Sequence, residues 1–233
     1  MKIQTLCLAL SEFTKQGICE NKPGVYAFDL SEVQPNAVSF ISRTIVDTDS
    51  HDSEHAAIAL ANPQLLGYVL VHSRNNGLLR YTRPDIVDGE SRLKGLHSLG
   101  FGGHVDLSDI ITKPSGVLDL EATMRLNISR ELSEELNIRD SWSYNNPRLK
   151  LQGFAISDPR PNPTDEKLIA VGQAHRAIIL TLDITDLEHY IKSSSETQGL
   201  TWLSEDEALA DLGNYESWSQ LLITDFITTG NFK

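Results

Sequence analysis

Residues 119–138 read DLEATMRLNISRELSEELNI, the clearest helical pattern in this 233-residue chain. Leu120, Met124, Ile128, Leu132 and Leu136 recur every four residues, which on a helix makes one apolar stripe and predicts a buried face. Asp119 is placed to cap the first turn, and no Gly or Pro interrupts the run. The same segment carries Glu131, Glu134 and Glu135, which project together because residues three and four apart are helical neighbours. Three like charges on one patch repel each other. They form either a solvated acidic face or a set of oxygens for a hard cation such as Mg2+ or Mn2+. Arg130 could hold one of the carboxylates through a bidentate contact.

Outward from this helix the pattern is mixed. Strands are expected around 38–46, 65–74, 78–84, 149–157, 175–184 and 200–204, with Asn75-Asn76-Gly77 as a hairpin turn. Helices are expected at 9–17, 205–212 and 215–228, and 48–55 reads as a polar break. Strands interleaved with helices predict an α/β (α+β) fold in which a mixed β-sheet is sandwiched between α-helices. The organisation expected is an N-terminal extension, 1–60, packed on a domain formed by 61–233.

The bulk numbers narrow the function classes. A hydrophobic content of 40% and a charged content of 22% are those of an ordinary soluble domain. No apolar run reaches the ~20 residues of a membrane span, and the N-terminus carries no convincing secretory signal. Cys7 and Cys19 are too few for a disulfide framework, so reduced thiols and a cytoplasmic location are expected. The net charge of −12 opposes binding to polymeric nucleic acid, yet it admits a small phosphorylated ligand through a divalent cation.

The run R-E-L-S-E-E-L-N-I (130–138) resembles the latter half of the Nudix box, R-E-U-x-E-E-x-G-U with U aliphatic. Asn137 stands where the family has glycine; it closes the helix, and asparagine tolerates a left-handed backbone next best. A glycine-rich loop, Gly102-Gly103-His104-Val105-Asp106-Leu107-Ser108-Asp109, resembles the opening of the box, but twenty residues separate Asp109 from Arg130 where the family has seven. An insertion of about a dozen residues within 110–122 accounts for the difference, leaving the first acidic position to either Asp109 or Glu121. The Y-x-R strand at 81–83, the Arg92-Leu93 pair and the GGH segment resemble a MutT-type subgroup of predicted phosphoesterases. Glu196, six residues before Trp202, is similar to the family's loop acid and late tryptophan strand.

The resemblance implies the Nudix fold and a metal-dependent hydrolase cleaving the diphosphate linkage of a nucleoside diphosphate derivative. Glu131, Glu134, Glu135 and the carbonyl of Gly102 would hold Mg2+ or Mn2+, and Arg130 would orient a glutamate. Glu196 is the first choice of general base and Glu131 the second. Arg83, Arg92 and His175 would meet the substrate, and His104 is either a further ligand or a partner of its own loop. The expected partner is a small nucleoside diphosphate-type substrate, with no polymeric nucleic acid and no membrane; a homodimer is compatible with the sequence. The alternatives are a ligand-sensing Nudix domain without hydrolysis and a protein-interaction module.

Overall fold

The structure, a computed structural model, describes residues 3–46, 52–84, 93–160 and 169–230. Its first elements are β1 (Gln4–Leu8), α1 (Leu10–Lys15), β2 (Gly24–Ala27), β3 (Val38–Ser42), α2 (Arg43–Val46) and α3 (Ser53–Ala61). β4 (Gln64–Ser73), β5 (Gly77–Thr82), β6 (His97–Ser98) and β7 (Gly100–Phe101) lead to the long helix α4 (Leu120–Leu136). The chain continues through α5 (Asp140–Asn145), β8 (Leu149–Ser157), α6 (Val171–Ala174), β9 (His175–Asp183), β10 (Gln198–Leu203), α7 (Glu205–Ala210) and α8 (Ser217–Leu221). The interleaving is the α+β arrangement expected. Among the described residues no helix is long and apolar enough to cross a membrane.

Helix α4 follows the sequence pattern closely. All five residues of its apolar stripe are buried. Asp119 Oδ1 accepts the Ala122 N–H at 3.1 Å, so the predicted cap forms. Asn137 closes the helix with φ at +57°, the left-handed conformation its position calls for, and Ile138 N–H returns to the Leu132 carbonyl.

The chain divides into two compact units. The first comprises Met1–Gly67, Gly103–Asn127 and Gly153–Ile179, so the N-terminal segment contributes β1 to β3 and α1 to α3 to it. Within this unit β1 pairs antiparallel with β3, Leu6 opposite Phe40, and meets β4 at Cys7 and Gln64. β2 pairs antiparallel with β8, Gly24 opposite Ser157. Cys7, Val46, Ala59, Ile169 and Ala174 form a buried cluster, and Phe13 stacks on Phe28. Residues 110–119, expected as an insertion, form a small hairpin: Thr112 bridges Leu118, and Lys113 exchanges backbone bonds with Val117 and Gly116.

The second unit comprises Tyr68–Gly102, Ile128–Gln152 and Leu180–Lys233. Here β10 lies beside β5 with Trp202 opposite Leu79, and β5 joins β4 through the predicted Asn-Asn-Gly turn. Gly77 is required there: its φ is +87°, and a Cβ would lie 2.2 Å from the Leu203 carbonyl oxygen. β6 pairs with β5, and β7 with β4.

Several expectations need correction. The strand expected over 38–46 ends at Ser42, and Arg43–Val46 turns helical. Ser42 Oγ pairs there with Thr44 Oγ1, the kind of local hydroxyl bond that competes with a ladder. The polar break at 48–55 lies partly outside the described residues, and its end opens α3, where Asp52 accepts the Glu54 N–H as a cap. β1, β2 and α5 were not expected. β1 is buried along most of its length, so its run TLCL lacks the alternation that marks a strand.

Candidate active site

The last turns of α4 separate the three glutamates. Glu131 and Glu135, one turn apart, are 9% and 5% exposed, whereas Glu134 faces solvent. Arg130 Nη1 lies 3.0 Å from Glu131 Oε1 and 3.1 Å from Glu134 Oε2, so it ties the exposed carboxylate to a buried one. Glu135 Oε2 accepts the backbone N–H of Gly102 at 2.9 Å. Gly102 has φ at +139°, a conformation a side chain would disfavour.

Burial pushes the Glu135 carboxyl up to about 8, and the neighbouring charge of Glu131 acts in the same direction. Arg83 and the Gly102 N–H pull it back, and Glu196 raises it further. The residues whose charges reach Glu135 are therefore those singled out in the sequence. The Arg83 guanidinium sits 5.6 Å above the Tyr81 ring, and its buried Nε has no hydrogen-bond partner. Glu196 is exposed, on a loop whose next residue, Thr197, is fully buried and donates its hydroxyl to the Glu135 carbonyl.

A third buried carboxylate in this unit escaped the sequence reading. Glu216 caps α8, accepting the N–H groups of Trp218 and Ser219, and also accepts the hydroxyls of Tyr68 and Ser219. Glutamate is not a favoured cap residue, so the only signal was the pair Glu216 and Ser219 three positions apart at the start of a helical pattern.

The remaining candidates lie in the first unit. His175 is buried, with Nδ1 2.7 Å from the Val171 carbonyl. Its Nε2 is 2.9 Å from Gln64 Nε2 and 3.3 Å from His104 Nε2. Asp109 is buried and accepts the Asp106 N–H and the Asn127 amide, whereas Glu121 is exposed on the first turn of α4. Arg92 lies outside the described residues.

Among the described residues no group of three or more His, Cys, Asp or Glu side chains is arranged to hold a metal ion. The donor chemistry fits a hard divalent cation at two carboxylates, Glu131 and Glu135. Glu135 is buried beside the charge of Glu131 and accepts the Gly102 N–H, an arrangement whose charge a hard divalent cation would offset.

Over 99% of its length and 99% of the other chain, the structure superposes on Tm1382, described as a candidate Nudix hydrolase, with a TM-score of 0.61 and 16% identity. The chain has the Nudix hydrolase fold. A MutT protein from Methanosarcina mazei Go1 matches over 72% of this chain and 95% of its own, with a TM-score of 0.43 and 16% identity. In sequence the chain is 30% identical over 138 residues to Protein YmaB of Bacillus subtilis (strain 168), a match that takes in 58% of this chain and 58% of that relative's length. No family model matches the chain.

Proposed function

We propose that the chain hydrolyses the diphosphate linkage of a nucleoside diphosphate derivative with Mg2+ or Mn2+. The observation that carries this reading is the buried pair Glu131 and Glu135, with Glu135 bonded to Gly102 and driven toward protonation. A buried carboxyl placed as Glu135 is, beside a like charge, is costly to ionise. Glu131, Glu135 and the backbone of Gly102 would hold the cation, which when bound neutralises diphosphate charge and makes water more acidic. Glu134, held by Arg130 on the exposed side, would contribute through that arginine.

The chain's own groups do the rest. Such a reaction needs an aligned water and charge stabilisation more than a protein nucleophile. Arg83, with its cationic plane on Tyr81 and a buried donor to spare, takes a phosphate oxygen. Arg130 keeps Glu131 in one orientation. Glu196 accepts the proton of the attacking water.

The test is a panel of nucleoside triphosphates, ADP-ribose, dinucleoside polyphosphates and non-nucleotide diphosphates, assayed for phosphate release with Mg2+ and Mn2+. At least one member is cleaved, and chelation stops the reaction. A wild-type protein that binds neither cation, or cleaves nothing on the panel, overturns the reading.

A further inference from the structure

The carbonyls of a helix's last turn have no partners within the helix. In α4 two of them are taken up by the loop that carries Glu196. The Leu136 carbonyl accepts Lys192 N–H at 3.2 Å, and the Glu135 carbonyl accepts the Thr197 hydroxyl at 2.7 Å. Asn137 Nδ2 donates to the carbonyls of Lys192 at 3.2 Å and Ser193 at 3.4 Å. Inside the loop, Ser194 N–H donates to Thr197 Oγ1, and Glu196 N–H to Ser194 Oγ, each at 3.1 Å. Thr197 Oγ1 is therefore a junction, donating to the helix and accepting from the loop. The helix residue it grips is Glu135, whose carboxylate receives Gly102 N–H.

We propose that Asn137 and Thr197 are positioning residues that fix Glu196 relative to Glu135; this rests on the reading of Glu196 as the base. Asn137 stands where the Nudix box has glycine. A glycine would meet the left-handed backbone with less strain, but it has no side chain to send to the loop. The asparagine accepts a little strain and gains two hydrogen bonds across 55 and 56 residues of sequence. Register between the helix end and the loop is then set by side chains.

Four variants of the full chain test this. Thr197→Val keeps the side-chain shape without the donor, and Thr197→Ser keeps the donor. Asn137→Asp keeps the shape but faces two carbonyls with an acceptor, and Asn137→Gly relieves the backbone while removing the amide. Amide hydrogen exchange at 192–197, Mn2+ binding, and kcat and KM on a compound cleaved by the wild type are measured for each. In Thr197→Val and Asn137→Asp, loop exchange rises and kcat falls about tenfold each, the scale of the one buried bond lost at Thr197 and of the two exposed bonds lost at Asn137. KM and Mn2+ affinity stay within about twofold, and Thr197→Ser restores the wild-type behaviour. In a Glu196→Gln background Thr197→Val causes no further loss, because the threonine acts through that carboxylate.

Unchanged loop exchange overturns the proposal. So does a Thr197→Val loss that multiplies with Glu196→Gln, or Mn2+ affinity that falls in step with kcat. If the wild type binds no Mn2+ and cleaves nothing, the proposed function fails instead, and exchange alone decides whether the two residues hold the loop.

Discussion

Two buried glutamates in the same unit differ in what surrounds them. Glu216 is wrapped by two backbone N–H groups and the hydroxyls of Tyr68 and Ser219, all of them donors. Glu135 accepts one backbone N–H and faces a second carboxylate, Glu131. A carboxylate ringed by donors has its hydrogen-bonding needs met within the fold. One left short of donors beside a like charge does not, and it holds its proton until something else neutralises it. The first arrangement is a structural joint and the second is a vacancy in charge, which is why the metal reading attaches to Glu135.

This contrast leads to measurable outcomes. The largest is for Glu135→Gln: kcat on a cleaved panel compound drops on the order of 10³-fold, and Mg2+ no longer raises Tm. Its metal-free stability at neutral pH stays at or above the wild-type value, because an amide need not take up a proton on folding as the Glu135 carboxylate must. Equal hydrolysis by the variant and the wild type would refute the role of Glu135.

Next is the pH dependence of the metal-free protein. Glu135 keeps its proton to about pH 8 when folded, against an ordinary 4.5. Its contribution to stability is full below pH 4.5 and is lost as the pH rises toward 8, by about 5 kcal/mol at most. Denaturant melts in chelator across that window show the decline. Glu135→Gln flattens it, and a slope unchanged in the variant would assign the decline to other groups.

Glu216→Gln behaves in the opposite way. An amide cannot accept from all the donors that Glu216 satisfies, so stability falls by about 2–4 kcal/mol in denaturant melts. The kcat of the folded fraction stays near the wild-type value. A loss of kcat without a loss of stability would mean that Glu216 belongs with the reacting groups. The smallest effect concerns the thiols. Burial pushes Cys7 up to about 12, while Cys19 is exposed. A thiol reagent at pH 8 therefore titrates one cysteine in the native protein and two after denaturation.

How much of this was legible follows the range of the interactions. The stripe of α4, its Asp119 cap, the left-handed Asn137 and the hairpin at 75–77 are set by neighbours within four residues, so spacing and residue type suffice. The separation of Glu134 from its two companions was not legible, because it depends on which helix face is packed. β1 and β2 are short and find partners more than a dozen residues away, a property no local pattern records. The cap at Glu216 takes a donor from Tyr68, 148 residues distant, and was missed for the same reason.

The hairpin at 110–119 has its two sides tied where Thr112 meets Leu118, and Asp119 N–H returns to the Ile111 carbonyl. The start of α4 is thereby anchored to Ile111, and the residues between form a tip whose size is not fixed by its base. The turn from Lys113 to Gly116 can thus be lengthened, shortened or given a tag with the helix start left in place. Distance along the chain and distance in space have come apart at this point, and any ruler that counts residues from glycine to glutamate will misjudge it.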